Sequence, residues 1–131
     1  MRFDFKTLTV GHSYSRDSLA EIWGYKGRQA ISRGIVTPAS DNKIILFVTK
    51  NKQKADTQYN DFFIEEGLLH MEGETSHLND KRLQNAEVNN ESIYLFYRNM
   101  HHTPFQYYGE VCLVECALYD NKPSTFILRL I

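Results

Sequence analysis

The sequence has little of several things, and each shortage narrows what the chain can be. It holds two cysteines in 131 residues, Cys112 and Cys116. They lie an even number of residues apart in a strand-like segment, so they should project from the same face, too far apart for a good disulfide. With no CxxC and no Cys/His spacing, they read as thiols packed in a core in a reducing compartment, and a cytoplasmic location is expected. No apolar run approaches the roughly 18 residues of a membrane span. The opening MRFDFKTLTVG lacks the apolar stretch of a secretory signal, so none is expected. Three prolines and seven glycines form no linker, and there is no repeat or low-complexity segment. A single domain over 1–131 is expected, large enough for a real core.

Catalytic signatures are missing as well. There is no Walker loop, no GxSxG, no HExxH and no HxK-type nuclease motif. Glu72 and Glu74 would share one strand face with His70, a pair that could hold metal or transfer protons. No lysine follows at nuclease spacing, and a solvated strand face, or hydrogen bonding around a loop, explains the pair equally well. Among the five histidines, His101 and His102 are adjacent and point opposite ways in an extended chain, while His70 and His77 lack a ligand spacing. The expectation is a non-enzymatic chain with no catalytic residue, no metal and no cofactor.

What is present is more informative. The net charge of −1 argues on its own against a nucleic-acid binder, but the charges are unevenly spread. Residues 1–60 hold ten Lys and Arg against five Asp and Glu, and residues 61–131 hold five against eleven. The first half could form a basic face for phosphates. Equally, the two halves could fold back into one mixed surface.

Hydrophobic patterning predicts a helix beginning near Ser15. "SLAE" at 18–21 has the form of a capping box, Asp17 adds a first-turn carboxylate, and Gly24 can end the helix. A second short helix is expected over 28–33. Strands are expected at 43–50, 67–74, 93–98, 105–119 with a bend or bulge at Gly109, and 124–131. Within "IYLFYR", Ile93, Leu95 and Tyr97 should face one way and Tyr94, Phe96 and Arg98 the other. Helices come early and strands late, without βαβ alternation. This suits an α+β domain built on a curved, mostly antiparallel sheet.

Aromatics make up 13% of the chain, and many sit near strand ends, beside Arg16, Arg33, Lys50 and Lys52. Aromatic faces stack on nucleobases at about 1–3 kcal/mol each. The stretch "KADTQYNDFF", 54–63, sets amide, phenol and carboxylate side by side just after a strand. A plain turn needs no Gln or Tyr there, whereas a pocket for a flat polar ligand would use both. The competing reading buries Tyr59 in the fold and lets Asp61 cap a turn.

The succession "YSRDSLAEIWG" (14–24), "ILFVTKNKQ" and "TQYND" (45–61), "LLHMEGET" (68–75), "IYLFYR" (93–98), "TPFQYYG" (103–109) and "PSTFILRL" (123–130) resembles a C-terminal domain of unknown function. That domain occurs in bacterial proteins joining a phospholipase-D-type nuclease to a DEAD-box helicase, a modification-dependent (Type IV) restriction architecture. The family is similar to the PUA-like group that includes the SRA domains, curved β-barrels that read modified cytosine. The resemblance spans nearly the whole chain, with departures. Where the family has an F-H-W-Q-S-Q strand, this chain has Met71 for the tryptophan and Glu72 and Glu74 for the glutamines. Glutamate only accepts where glutamine also donates, so the base preferred would differ.

The resemblance implies a non-catalytic reader that flips a modified, cytosine-type base out of DNA in a restriction or phage-defence system, with a nuclease or helicase effector as partner. In that reading Tyr59 stacks on the base, with Trp23 or Tyr25 opposite. Asp61 accepts the exocyclic amine, Gln58 donates to the carbonyl, and Glu74 adds an acceptor. Arg16, Arg33, Lys50 and Lys52 hold flanking phosphates. Two other readings stay open: an RNA-binding PUA-like module, and a protein-interaction domain whose acidic half docks a partner.

Overall fold

The computed structural model describes residues 4–38, 41–51 and 61–131. Eight strands and two short helices follow one another as β1 (Ser13–Tyr14), α1 (Arg16–Ile22), β2 (Ile35–Val36), β3 (Lys43–Asn51), β4 (Phe62–Glu65), β5 (Leu68–Glu72), α2 (Asp80–Gln84), β6 (Ser92–Met100), β7 (Phe105–Ala117) and β8 (Thr125–Leu130). The expected second helix is a single 3-10 turn, Arg28–Ile31. The cap of α1 sits one turn earlier than the expected SLAE box. The Ser15 hydroxyl accepts the Ser18 N–H at 3.0 Å, and Gly24, at φ +79, ends the helix as anticipated.

All eight strands join one sheet, ordered β2-β3-β6-β7-β8-β5-β4, with β1 added on β7. Two expectations need correction. First, β3 and β6 pair in parallel, from Lys43↔Ser92 to Asn51↔Met100, so the sheet is mixed. The crossover that parallel pairing requires is made by β4, β5 and α2, which stand between them in the chain. Second, the sheet does not close into a barrel. Among the described residues β2 and β4 end it and do not pair with each other.

The central strands are buried on both faces. Ile44, Leu46 and Val48 of β3 join Ile93, Leu95 and Tyr97 of β6 in one cluster, closed by Leu69, Met71, Phe126, Leu128 and, from α2 and beyond, Leu83 and Ala86. Because this cluster draws on strands at both ends of the sheet, the sheet must curl around it. Ile45, Phe47 and Phe96 face the other way, under Leu19, Ala20 and Trp23 of the α1 segment. The alternation expected within 93–98 is therefore observed, with each set meeting its own core.

Strand β7 holds two bulges. Leu95 pairs with Gly109 while Phe96 pairs with Tyr107, which leaves Tyr108 as the extra residue. Gly109 takes φ +91, a region costly for other residues. The second bulge, between Leu113 and Glu115, corrects the cysteine expectation. It reverses the alternation, so Cys116 packs against the first core while Cys112 is exposed. The two thiols are free, and only one of them touches a core.

Candidate nucleic-acid interface

The curl of the sheet brings its two ends to opposite sides of one hollow. Gly34 and Ile35 at β2, with Phe47 and Val48 of β3, form one wall. Asp61 and the run Met71–Glu74 form the other, around a cavity of about 200 Å3. The unclosed seam of the sheet is thus the cavity. It falls below the ~300–1,000 Å3 of sites for drug-sized ligands and suits a single planar heterocycle.

The chemistry of the seam is acidic on one side and apolar on the other. Asp61, buried just before β4, accepts the backbone N–H of Glu72 at 2.9 Å. Glu74 is held by the residue that precedes α2: its Oε1 accepts the Asn79 N–H at 3.2 Å and the Asn79 side-chain amide at 3.1 Å. Ile35, Val48 and Met71, all almost fully buried, supply the apolar side chains, while the faces of the Phe47 ring are taken by Phe96 and Arg16. Behind the seam, Tyr97 packs edge-on against Phe63, with ring centroids 4.8 Å apart. Burial, then Tyr108, then the Asp61 carboxylate push the Tyr97 phenol up, so it stays protonated and able to donate.

The residues singled out from the sequence separate into groups. Asp61 and Glu74 line the same wall of the seam, and Glu72, weighed as half of a carboxylate pair, lies with them. Gln58, Tyr59 and Lys52 lie outside the described residues. Trp23 and Tyr25 do not line the seam. Trp23 is 2% exposed, donates its indole N–H to the Asp4 carbonyl at 3.2 Å and packs edge-on to Phe5 and Phe96. Tyr25 packs half-buried against the same core. Their aromatic surface is already used in the fold. Arg33 and Lys50 are exposed. Arg16 is instead half-buried, over the Phe47 ring at 4.7 Å, and donates from Nη2 to the Arg33 carbonyl at 3.2 Å. Desolvation, then the nearby charges of Arg98 and Arg28, lower its pKa to about 10.

Arg98, expected only on the strand face it shares with Tyr94 and Phe96, was not among the expected site residues. It lies over the Phe105 ring at 4.1 Å and donates to Thr49 Oγ1 at 2.7 Å and to the Thr103 carbonyl at 2.9 Å. A lone charge in an otherwise apolar six-residue strand was the signal available for it. Among the described residues no group of three His, Cys, Asp or Glu side chains could hold a metal ion, and no helix is long and apolar enough to cross a membrane.

Comparison with known proteins bears on this geometry. A family described as "Domain of unknown function (DUF3427)" matches residues 8–125. No curated protein matches the chain. The SUVH5 SRA domain, solved in complex with hemi-methylated CG DNA, superposes with a TM-score of 0.63 at 16% identity over 95% of this chain and 90% of that one. The DNA modification-dependent restriction endonuclease AspBHI superposes with a TM-score of 0.59 at 12% identity, over 92% of this chain and 74% of that one. The fold is SRA-like.

Proposed function

We propose that this chain, which belongs to the DUF3427 family, is a non-catalytic reader of modified DNA that encloses one extruded, cytosine-type base in the seam of its sheet. The observation that carries the reading is the seam itself, an acid-lined hollow of about 200 Å3 in a fold shared with a domain solved on hemi-methylated CG DNA.

A base in a duplex can be enclosed only after it leaves the stack, at a cost of a few kcal/mol. The seam offers two ways to offset that cost. Val48 and Met71 give apolar contact to the faces of the ring. Asp61, Glu72 and Glu74 offer acceptors to an exocyclic amine, which cytosine and its 5-modified forms present on the Watson–Crick edge. Carboxylates accept only, so the seam disfavours thymine and uracil, whose edge has carbonyls in place of the amine. Three carboxylates near a polyanion also need cations around them, and Arg16, Arg33 and Lys50 on the β2–β3 side supply these. Cleavage or strand separation would belong to a nuclease or helicase effector working with this reader in defence against modified DNA.

The reading is tested by fluorescence anisotropy with 30-base-pair duplexes carrying one cytosine, 5-methylcytosine or 5-hydroxymethylcytosine, and with a folded RNA. Tighter binding to one modified duplex, at least about tenfold over the plain one, is expected. Equal and strongly salt-dependent binding of all duplexes, or preference for the RNA, would contradict it.

A further inference from the structure

A larger cavity, about 490 Å3, lies on the far side of Phe47 from the seam and is lined by Arg16, Arg28, Arg98 and Phe105, with His101 and His102 beside them. Its charge is poorly compensated. Asp17 is the one carboxylate in the lining, and it reaches Arg28 at 3.9 Å on the exposed surface. Among the described residues no carboxylate pairs with Arg16 or Arg98. Both guanidiniums instead rest on the Phe105 ring, Arg16 at 5.0 Å and Arg98 at 4.1 Å from its centroid. Cation–π contact positions a guanidinium and leaves its N–H edge available.

The donors are left over in number. Arg16 commits one N–H, from Nη2 to the Arg33 carbonyl, and its buried Nε meets no acceptor among the described residues. Arg98 commits Nε to Thr49 and Nη1 to Thr103, which fixes its plane and leaves Nη2 without a protein acceptor among the described residues. A buried cationic donor without an acceptor is costly. Arg16 Nε is such a donor, the nearby Arg98 charge makes its cation costlier still, and an oxyanion shared with Arg98 Nη2 would offset that cost.

The cavity is one residue layer from the seam. Phe47, under the Arg16 guanidinium, is a wall of the seam, and the carbonyl that holds Arg16 belongs to Arg33, next to the seam-lining Gly34. An acidic hollow and a basic hollow therefore stand back to back. A nucleotide has that same polarity, with an amine-bearing base at one end and a phosphate at the other. We propose that the arginine cavity is the phosphate subsite of the nucleotide whose base occupies the seam, with Arg16 and Arg98 as the anchoring pair and Arg28 at the surface. The identity of the ligand rests on the base-reading assignment above; the demand for an oxyanion does not.

The experiment replaces single phosphates on either side of a modified cytosine by uncharged methylphosphonate and measures duplex affinity for wild type, Arg16→Gln and Arg28→Gln, with titration of inorganic phosphate followed at the Arg16 and Arg98 Nε–Hε resonances. At one flanking position, replacement should weaken wild-type binding about tenfold. Each variant should bind the native duplex more weakly and lose less than wild type on replacement, and inorganic phosphate should shift both resonances. If Arg16→Gln fails to fold, Arg28→Gln decides, because the Arg28 side chain is exposed and its one ion pair among the described residues is the long contact to Asp17. Equal losses in wild type and variants, or no loss, overturn the subsite; if the modified duplex is still preferred, the base reading survives that failure. Loss of all preference for the modified base, with both resonances still moved by phosphate, overturns the base reading and with it the assignment of this cavity to a nucleotide, leaving an oxyanion site of another kind.

Discussion

The Asp61 carboxylate accepts the Glu72 backbone N–H at 2.9 Å, tying the residue before β4 to the last residue of β5 at the wall of the seam. One oxygen thus does structural work while the same side chain lines the hollow. Asp61→Asn keeps a carbonyl oxygen for Glu72 but turns one acceptor into a donor. It should leave the cooperative unfolding transition in place and weaken binding of the modified duplex by about 1–3 kcal/mol. Paired melts and anisotropy titrations check both halves, and unchanged discrimination would remove Asp61 from base contact.

Arg33 offers the contrast. Its backbone carbonyl holds Arg16 while the residue is exposed, so Arg33→Ala preserves the internal contact. Affinity should fall alike for plain and modified duplexes, and the slope of log K against log salt should flatten by about one unit. A change confined to the modified duplex would place Arg33 at the base instead.

Ser124 and Asp80 set the stability of the region behind Glu74. Buried Asp80 accepts the Ser124 hydroxyl at 2.6 Å and faces His77 Nδ1 at 2.8 Å, while its other oxygen has no partner among the described residues. Ser124→Ala should destabilise the fold by about 1.5–3 kcal/mol, as for loss of a hydrogen bond to a charged group. Urea unfolding measures this, and a midpoint equal to wild type would contradict it.

Alkaline pH probes the second core. Burial first, then Tyr94, Glu110 and Tyr14, push the Tyr107 phenol from its ordinary 10.0 to about 12. The folded state therefore holds this proton more tightly than the unfolded one. The stabilisation is fully present below about pH 10 and is lost as pH rises toward 12. Urea midpoints should fall across that window in wild type and fall less steeply in Tyr107→Phe. Parallel slopes would mean that Tyr107 does not carry the effect.

Gly109→Ala should cost about 1–2 kcal/mol from its left-handed backbone alone, and the new methyl would stand 3.2 Å from Val10. Thermal melts check it.

Much of this architecture was legible in the residues because burial leaves a period. "IYLFYR" alternates, and both of its faces meet the cores the alternation assigns. "KIILFVTK" does not alternate, and that continuous apolar run is the mark of a strand covered on both faces. Such burial is compatible with the parallel pairing of β3 with β6, which the run alone does not specify. Helix α2 escaped notice because DKRLQ buries only one large apolar side chain, Leu83, and a five-residue polar stretch carries no periodicity. Strand β4 was hidden by its neighbours in the sequence, since Phe62 and Phe63 read as the end of a loop. The seam lies beyond any local signal. It depends on how far the sheet curls, a property of the whole core, and so Asp61 could be suspected from its neighbours while its meeting with Gly34 and Phe47 could not. Trp23 shows the converse: an aromatic side chain looks the same in a sequence whether a core or a ligand takes its face, and here the core does.

The most direct test of the account is the imino-proton spectrum of a duplex bearing one modified cytosine, recorded free and with saturating protein. Enclosure of that cytosine in the seam predicts loss of the imino resonance of the guanine opposite it, with distant base pairs unchanged. Saturated binding with that guanine resonance intact would show the base still paired, and would contradict the claim that the seam receives it.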